Sequence, residues 1–528
     1  MNSLSILIRA DIGPAVGTGH VMRTFALASA WCKLGGTATM VCGEHLPASL
    51  RQRLKRNGIG VEIIVTDTIE EDAFQTCRLA EKSNAAWIVV DGYRFDDSYQ
   101  ETIKQSAAKL FVVDDFGHAQ HQHADLLLNQ NIYAEKSSYL ELKPESLLLG
   151  PSFVLMRDEF SNIKAEKKRV PKTAKRIMIT MGGADAGNFT STCLRAIAEL
   201  PNVKEISVDA IVGASNPHTE SLKQLCHELP ISVRLQRNTD RMATIINQCD
   251  LAITAGGSTC YELARCGVPA IVLSTAENQV AVARSFHENS CMVWLGDADS
   301  VPVQMLTDEI RKLSNDVALR KKMAAANTTL VDGHGAQRIA RRLFQEELVF
   351  REATREDSNR LWQWRNESTV RQGAFQSHEI PWSEHEAWFD RSLSDRLVDI
   401  WIVETGAGES VGPVRFNFDS MGTQATISIS VSPPFRGRGW GTAIIEAACR
   451  RAFLSDDIQQ IAAWIKPENE SSLAAFSKAG FSEEREGSQT QITIHTVDDQ
   501  AAIRMILRRE KVVSESGASG ASKRSKSA

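Results

Sequence analysis

Short apolar runs alternate with longer segments of helical periodicity from residue 4 to about residue 160. Apolar runs of this kind are typical of buried strands, whereas a segment such as VMRTFALASAWCKLG places apolar residues at helical spacing and ends in glycine. Their regular alternation predicts an α/β domain, a parallel sheet with helices on both faces, over residues 1–162. The predicted strands are ILIRAD, ATMVCG, VEIIV, AAWIVVDGY, KLFVVDDF and ADLLLN.

A second α/β domain is predicted over residues 175–345. It opens with RIMITMGGADAGNFT, continues through EISVDAIVG, ISVRLQ, CDLAITAGGSTCYELARCG and PAIVLS, and ends in helical segments. The charged segment 162–176, which Pro171 interrupts, predicts a linker between the two domains. Two Rossmann-like lobes of similar size favour a ligand cleft between them, at the carboxyl ends of the strands.

The pattern changes after Phe350 and predicts a smaller α+β domain over residues 349–510. Its predicted strands are DIWIVET, GPVRFNF, TISISVS and IAAWIK. The final segment, residues 511–528, contains the low-complexity run SESGASGASKRSKSA and is predicted to be disordered.

Composition narrows the class of protein. The 528 residues exceed what one hydrophobic core supports, and a hydrophobic content of 43% with 24% charged residues is typical of soluble proteins. The net charge of -5 argues against a nucleic-acid partner, and no apolar run reaches the roughly 18 residues of a membrane span. Ten cysteines without a CxxC pair, and an N-terminus unlike a signal peptide, predict a cytoplasmic protein with reduced thiols.

The first candidate site is GTGHVMR, which joins the first predicted strand to a helix. It contains His20 and three candidate substrate-binding residues, Gly17, Gly19 and Arg23. A dinucleotide fingerprint is disfavoured because its third glycine falls on Met22 and no ribose-binding acid follows. A metal site is disfavoured because His20 has no second ligand one turn along the helix. His20 could cap the helix, or it could act as a base.

A general base at His20 has a physical rationale. A helix N-terminus and the neighbouring Arg23 both favour the uncharged imidazole, which can accept a proton. General-base catalysis of this kind contributes about 10² to 10⁴ in rate.

The second lobe offers two glycine turns that could hold an anion. In GGSTCYE, backbone amides would open a helix toward a phosphate, and the acid one turn later could accept both ribose hydroxyls. MGGADAGN makes a second such turn, and ENQ follows a later strand. A structural role explains one such turn more easily than two turns with an acid. The candidate nucleotide-binding residues are Gly182, Gly183, Asp185, Asn188, Gly257, Ser258, Thr259, Glu262, Asn278 and Gln279.

Taken in order, these motifs resemble a known family over residues 4 to about 345. RADIGPAVGTGHVMR, VVDGYRFD, VVDDF, ADLLLNQN, LLLGPSFVLMRDEF, MGGADAGN, GGSTCYE and ENQ follow one another as in the UDP-2,4-diacetamido-2,4,6-trideoxy-β-L-altropyranose hydrolases of pseudaminic acid biosynthesis. The two-lobed plan resembles the GT-B nucleotide-sugar enzymes, in which the second lobe holds UDP.

The resemblance implies that His20 activates the water that attacks C1 of the sugar, while the glycine turns contact UDP. Asp91 and Tyr93 follow a predicted strand and either orient the sugar or have a structural role. UDP is a good leaving group once amides hold its charge, so neither a protonating acid nor a metal is required.

Two other clusters have weaker metal signals. The segment FGHAQHQH brings His118, His121 and His123 close to Asp114 and Asp115 in sequence. It could form a metal site, but a solvated loop is the favoured interpretation. The DxD sequence of residues 297–299 is interpreted as a loop rather than a Mg²⁺ site.

The second candidate site is TISISVSPPFRGRGWG, where prolines end a strand and a glycine-rich basic loop opens a helix. Gly437, Gly439 and Gly441 allow successive amides to point inward at an anion, and Arg436 and Arg438 add charge. Such a loop alone could also bind nucleic acid.

The downstream WIKPENESSLAAFSKAGF makes the region resemble the GNAT acetyltransferases, over about residues 349–510. The resemblance implies acetyl-CoA as cosubstrate, with the strand from Ile429 to Val431 along the pantetheine arm and Asn469 also near the cofactor. Phe476 stands where many members have a tyrosine acid, so the acid stays open.

LWQWRNESTVRQ resembles the acceptor side of GNAT members that act on nucleotide sugars. Arg365, Asn366 and Arg371 are its candidate acceptor residues, whereas Trp362 and Trp364 fit the helix core better than sugar stacking.

The sequence thus predicts a bifunctional enzyme with a UDP-sugar substrate. The C-terminal domain would acetylate the 4-amine of a UDP-sugar, and the N-terminal lobes would hydrolyse the diacetylated product to UDP and free sugar. Two alternatives are a GT-B glycosyltransferase fused to an acetyltransferase of other amines, and a nucleotide-sugar sensor fused to a protein acetyltransferase.

Overall fold

The computed structural model describes residues 4–13, 17–163, 170–213, 215–237, 239–406, 408–484, 494–498 and 500–509. The predicted disordered segment 511–528, and residues 164–169 of the predicted linker, lie outside these ranges. The chain forms two compact units, a larger one of residues 4–32 and 36–339 and a smaller one formed mainly by the chain from residue 340 onward.

The first lobe of the larger unit is a parallel sheet in the order β3-β2-β1-β4-β5-β6-β7. Apolar residues fill the central strands, as expected for a sheet covered on both faces. The strands are β1 (Ser5–Ala10), β2 (Thr37–Cys42), β3 (Gly60–Ile63), β4 (Ala85–Asp91), β5 (Lys109–Val113), β6 (Leu126–Asn129) and β7 (Leu147–Leu149). The helices are α1 (Gly19–Lys33), α2 (Ala48–Arg56), α3 (Ile69–Lys82), α4 (Asp97–Ile103) and α5 (Asp158–Ser161).

The second lobe repeats this plan in the order β10-β9-β8-β11-β12-β13. Its strands are β8 (Arg176–Thr180), β9 (Ser207–Val212), β10 (Ser232–Arg237), β11 (Leu251–Ala255), β12 (Ala270–Ser274) and β13 (Val293–Asp297). Its helices are α6 (Phe189–Ala198), α7 (Thr219–Glu228), α8 (Met242–Gln248), α9 (Thr259–Arg265), α10 (Val280–Glu288), α11 (Val303–Asn315) and α12 (Val317–Leu330). Helix α13 (Gly335–Glu346) begins in this lobe and includes the residue at which the two units divide.

Strand order reverses between β1 and β4 in the first lobe and between β8 and β11 in the second. At such a switch point, neighbouring loops leave the sheet in opposite directions and open a crevice for ligands. The motif with His20 follows β1, and the glycine turns of the second lobe follow β8 and β11. The topology therefore places the predicted site residues at both crevices.

The smaller unit is built on a mixed sheet in the order β14-β15-β16-β17-β18-β21-β19, with β20 paired to β21. Its strands are β14 (Leu348–Glu352), β15 (Val398–Thr405), β16 (Ser410–Phe418), β17 (Gln424–Ile429), β18 (Gln460–Ile465), β19 (Ser482–Glu483), β20 (Ile494–Val497) and β21 (Gln500–Arg508). Its helices are α14 (Ser358–Asn366), α15 (Ser368–Gly373), α16 (Trp382–Ser394), α17 (Trp440–Ala452) and α18 (Glu470–Lys478).

The predicted α/β and α+β architecture is confirmed, but several strands escaped the sequence analysis. β7 and β13 lie at sheet edges, where short or interrupted apolar runs suffice. Asp297 of the DxD sequence ends β13, and only Ala298–Ser300 form a turn. Among the described residues, no helix is long and apolar enough to cross a membrane.

The first lobe contains a buried ion pair that strand patterning did not reveal. Arg9 on β1 donates from Nε and Nη2 to the two carboxylate oxygens of Asp72 on α3, at 2.9 and 2.6 Å. Both side chains are almost fully buried. Burial alone would raise the pKa of the Asp72 carboxyl, but Arg9 and Arg94 lower it below its usual value.

Asp72→Asn is expected to lower the free energy of unfolding by about 3–5 kcal/mol, because it leaves the Arg9 charge buried without a carboxylate. A carboxyl with a lowered pKa stabilises the fold above its unfolded-state pKa of about 3.9, and that contribution disappears as pH falls below this value. Urea unfolding should therefore give a much larger free energy of unfolding for the wild type than for Asp72→Asn at pH 7. The difference should become smaller as the pH is lowered to 3.

Glu220→Gln provides the control, because Glu220 pairs with Lys223 on an exposed surface. An exposed pair contributes at most about 1 kcal/mol. Equal unfolding free energies of the two variants at pH 7 would contradict a stabilising role for the buried pair.

Candidate active sites

His20 lies in the first turn of α1, and its ring is held by a buried carboxylate. Its Nδ1 is 2.6 Å from Oδ1 of Asp91, the last residue of β4. His20 is 5% exposed and Asp91 is fully buried. A carboxylate at Nδ1 keeps the proton on that nitrogen, so that Nε2 has the free lone pair. Among the described residues, no hydrogen bond uses Nε2.

Asp91 stays ionised because of its partners. Burial alone would raise its pKa, but Arg23 and His20 lower the pKa of Asp91 to about 2. The sequence argument considered only the cationic neighbour of His20 and missed this anion. A fully buried Asp91 whose oxygens face His20 and Arg23 is suited to orienting the imidazole rather than to the predicted contact with the sugar.

Arg23 bridges two carboxylates. Its Nε and Nη2 donate to Asp91 at 2.7 and 2.6 Å, and its Nη1 and Nη2 donate to Asp115 at 2.7 and 3.0 Å. Burial would lower the pKa of Arg23, but the two carboxylates raise it well above its usual value. The structure therefore gives Arg23 a role within the site, in place of the predicted substrate contact.

Tyr93 forms an exposed wall beside the base. Its ring meets that of His20 edge-on at 5.0 Å, and its hydroxyl donates to Oδ2 of Asp115 at 3.1 Å. Asn278 of the second lobe interacts with the same hydroxyl. Phe116, which the sequence analysis did not single out, is 51% exposed, and its ring centre lies 5.2 Å from that of Tyr93.

Gly17 and Gly19 precede His20 in the turn between β1 and α1, and Gly17 has a left-handed conformation at φ 73°.

In the turn after β8, one predicted ligand residue, Asp185, instead binds the protein backbone. Both carboxylate oxygens of Asp185 accept backbone amides at the start of α6, from Phe189 at 2.8 Å and Thr190 at 3.1 Å. Asp185 is therefore a helix cap, which corrects its assignment as a ligand contact. Gly182, Gly183 and Asn188 stay candidates, and Gly182 has a positive φ of 82°.

The turn after β11 keeps its predicted ligand groups accessible. Ser258 is exposed, and Gly257 and Thr259 are half-buried at the start of α9. Glu262 accepts a hydrogen bond from Arg157 at 2.9 Å, which fixes one of its oxygens.

Gln279 holds this turn from behind. Its Oε1 accepts the amides of Gly256 at 3.1 Å and Thr275 at 3.0 Å. The side-chain oxygen of Gln279 therefore stabilises the turn, which corrects its predicted role as a ligand contact. Asn278 is exposed and interacts with the Tyr93 hydroxyl.

The histidine-rich segment is solvated only in part, which corrects its interpretation as a solvated loop. His121 is fully buried and the His118 side chain is 10% exposed, whereas the residues between and beside them are exposed or half-buried. His118 donates from Nδ1 to Asp114 at 2.7 Å, and His121 Nε2 lies 3.7 Å from the same oxygen. The three donor atoms lie within 4.8 Å of one another, as metal ligands would. However, Gln100 donates to Nδ1 of His121 at 2.8 Å and to the Phe95 carbonyl, which leaves the proton of a neutral ring on Nε2. This arrangement favours a hydrogen-bonded core cluster.

In the smaller unit, two parallel strands separate and open a cavity. β17 and β18 pair only over Gln424–Thr426 and Gln460–Ala462. Beyond these residues, Ile427–Val431 and Ala463–Ile465 line a cavity of about 1630 Å³. The predicted strand from Ile429 to Val431 therefore has main-chain groups at the cavity wall.

The glycine-rich loop borders the same cavity, but its two arginines differ. Arg436 donates from Nη1 and Nη2 to Glu367, both at 2.5 Å, and from Nε to the Val431 carbonyl. Arg436 is thus already neutralised, which corrects its assignment as a free anion ligand. Arg438 is exposed, and Gly437 and Gly439 have positive φ angles of 72° and 86°.

The remaining predicted cofactor residues also line the cavity. Gly441 lies in the first turn of α17, and Asn469 caps α18 by accepting the Ser472 amide at 3.2 Å. Phe476 lines the cavity as well, which leaves the acid of an acetyl transfer unassigned.

Three arginines lie in or near the lining of this cavity. Arg365 and Arg415 line it, and Arg371 lies near Arg365. Arg365 donates from Nη2 to the Gln376 carbonyl at 2.7 Å, and the Arg415 guanidinium lies 5.6 Å from the centre of the Trp388 ring. Burial, and then the neighbouring arginine, lowers the pKa of both Arg365 and Arg415. Arg365 Nη1, Arg371 Nε and Arg415 Nε are buried without a hydrogen-bond partner. Within the described part of the chain, no carboxylate is among the groups that shift the pKa of Arg365 or Arg415.

Sequence reasoning missed Arg415 because it sits in an apolar strand, GPVRFNF, as an isolated charge. An isolated arginine inside a predicted buried strand was the available signal. By contrast, the side chain of Asn366 has a structural role. Its Nδ2 donates a hydrogen bond to the Ile380 carbonyl, and its Oδ1 accepts one from the Ile380 amide. The same carbonyl also accepts a hydrogen bond from Nε1 of Trp362.

Comparison with known proteins gives two domain matches. Residues 176–343 match the family model of the glycosyltransferase family 28 C-terminal domain. Residues 347–482 match that of the acetyltransferase (GNAT) domain.

Two relatives match longer stretches of the chain. Over 340 residues the chain is 25% identical to the spore coat polysaccharide biosynthesis protein SpsG of Bacillus subtilis, a match covering 63% of this chain and 95% of that protein. Over 262 residues it is 25% identical to the UDP-2,4-diacetamido-2,4,6-trideoxy-β-L-altropyranose hydrolase of Campylobacter jejuni, covering 49% and 87% respectively.

Among solved structures, MurG of Acinetobacter baumannii aligns with 65% of this chain and 99% of its own, at 14% identity and a TM-score of 0.49. The resemblance predicted from the motifs is confirmed. The chain combines two Rossmann-like lobes, similar to a UDP-2,4-diacetamido-2,4,6-trideoxy-β-L-altropyranose hydrolase, with a smaller domain that matches the acetyltransferase (GNAT) family model.

Proposed function

We propose that the two-lobed unit hydrolyses UDP-2,4-diacetamido-2,4,6-trideoxy-β-L-altropyranose to UDP and the free sugar. We further propose that the smaller unit makes this substrate, by acetylating the 4-amine of its UDP-sugar precursor with acetyl-CoA. The observation that carries the first proposal is the short contact between Asp91 and Nδ1 of His20, which directs the free Nε2 away from the carboxylate.

In hydrolysis, His20 Nε2 takes a proton from water as the water oxygen attacks C1. The bond between C1 and the UDP oxygen breaks, and UDP leaves with the electron pair. The imidazolium that forms is next to the ionised Asp91, which stabilises it as the buried carboxylate of a catalytic triad does. UDP would be held through the amides of Gly257–Thr259, with its ribose near Glu262.

In acetyl transfer, the uncharged amine nitrogen attacks the thioester carbonyl and the carbon–sulfur bond breaks. The nitrogen loses one proton, and the departing thiolate of coenzyme A takes one up. The separated ends of β17 and β18 offer main-chain groups to the pantetheine arm. The arginine pair Arg365 and Arg415 supports an anionic acceptor such as a nucleotide sugar, since a polycationic amine would be repelled by charges that lack carboxylate partners.

A glycosyltransferase is the competing function of the first unit, and incubation with the UDP-sugar alone separates the two. A hydrolase releases UDP and free sugar in equal amounts without any acceptor. UDP release that requires an added acceptor would favour transfer.

His20→Ala is expected to lower kcat for UDP release by about 10² to 10⁴, because it removes the proton acceptor for water. UDP binding, measured by calorimetry, should stay within about twofold, since the predicted UDP contacts lie in the second lobe. His45→Ala is the control, because His45 is exposed and lies outside the site. Wild-type turnover by the His20 variant would remove His20 from the mechanism.

Arg415→Met is expected to raise the KM for the UDP-amino sugar by about 10- to 100-fold. This is the effect expected when a hydrogen bond between the arginine and a charged group of the substrate is lost. The KM for acetyl-CoA should change little, since the glycine-rich loop lies elsewhere on the cavity wall. Arg355→Met, at an exposed arginine, is the matched control. An unchanged acceptor KM, or an equal rise in both KM values, would contradict an anion-binding role.

Gly437→Ala is expected to weaken coenzyme A binding by about tenfold. Alanine is strained at the left-handed φ of 72° that glycine adopts here, so the loop backbone would shift and its amides would no longer point at the pyrophosphate. Gly408 is a matched control, since it has φ 79° and, like Gly437, space for a methyl group. Both variants carry the same backbone cost of about 1–2 kcal/mol. Calorimetric titration should therefore show weakened binding only for Gly437→Ala.

A further inference from the structure

A tyrosine of the second lobe contacts a first-lobe segment that is hydrogen-bonded to the charged groups beside His20. Tyr261 lies on α9, the helix that begins at the predicted UDP-binding turn, and it is 2% exposed. Its hydroxyl donates to Oδ1 of Asn131 at 3.0 Å and accepts the backbone amide of Ile132 at 3.2 Å. The tyrosine was absent from the candidates that the sequence provided.

Asn131 passes this contact on to the charged centre. Its Nδ2 donates to Oδ1 of Asp115 at 3.2 Å and to the Asp115 carbonyl at 3.1 Å. Asp115 in turn accepts two hydrogen bonds from Arg23, which holds Asp91. A continuous series of hydrogen bonds thus runs from Tyr261 through Asn131, Asp115, Arg23 and Asp91 to His20.

The direction of these bonds gives Tyr261 a specific effect. Because its hydroxyl donates to Oδ1, the Asn131 amide must present Nδ2 to Asp115. Asn131 is almost fully buried, so no bulk water can replace the hydroxyl. Loss of the hydroxyl would free the amide to rotate and would deprive Asp115 of a donor, so that Asp115 and Arg23 could shift relative to Asp91.

We propose that Tyr261 is a positioning residue for the base: the second lobe fixes the orientation of the His20 ring through Asn131. This inference rests on the proposed hydrolysis, because it assigns a role within that reaction. Tyr261 itself acts through other residues and need not touch the sugar.

The test is Tyr261→Phe, with Tyr99→Phe as a matched control. Tyr99 is also 2% exposed, and its hydroxyl donates to the carboxylate of Asp72 at 3.0 Å in the first-lobe core. We expect Tyr261→Phe to lower kcat for UDP release by about tenfold with KM and UDP affinity within about twofold. Tyr99→Phe should leave kcat unchanged even if it melts at a lower temperature.

Non-additivity tests the route through Asn131. If Tyr261 acts by orienting this amide, Asn131→Ala should lower kcat at least as much, and the double variant should be no slower than Asn131→Ala alone. Independent, multiplying losses in kcat would overturn the proposed route.

A readout that does not require turnover separates this inference from the proposed function. In protein labelled with ¹⁵N-histidine, the Nδ1 proton of His20 is assigned by its loss in His20→Ala. Its ¹H resonance should shift in Tyr261→Phe and stay in place in Tyr99→Phe. A wild-type chain that releases no UDP would refute the proposed hydrolysis, whereas an unmoved resonance in Tyr261→Phe would refute the positioning role.

Discussion

The buried carboxylate of Asp91 is the interaction on which the larger unit's site depends. It ends β4 beside β1, where the strand order reverses, and it contacts both His20 and Arg23. A lone buried carboxylate would be costly, so Arg23 must stay nearby, and Asp115 then helps to balance the arginine. The imidazole is thereby oriented by charges whose positions are fixed by the ends of β4 and β5 and by the first turns of α1.

Much of this arrangement follows from the sequence. Alternating apolar and helical segments predicted both lobes, and parallel-sheet topology then places the residues after β1, β4, β8 and β11 at the crevices. The identity of His20 as the candidate base also came from its place after a glycine turn. What patterning could not supply was the pairing of side chains from distant segments.

Three examples show the physical reason. Asp185 and Gln279 carry polar groups of the type that bind nucleotides, but nearby backbone amides use them first. Arg436 has the charge expected of a phosphate ligand, yet Glu367, far away in sequence, neutralises it. Two histidines of the histidine-rich segment turn into the protein, because Asp114 accepts a hydrogen bond from His118 and Gln100 donates one to His121. Local sequence gives the chemistry of a group and leaves open which partner it meets.

The gap between β17 and β18 has a consequence for how the smaller unit can diversify. Groups offered there belong to the peptide backbone, which every residue type supplies, so mutations along that edge scarcely alter which cosubstrate fits. Other parts of the cavity lining are side chains, Arg365 and Arg415 among them, and a single codon change at either position alters the charge of the lining. Such a domain can exchange one acyl acceptor for another over evolutionary time while its acyl donor stays the same.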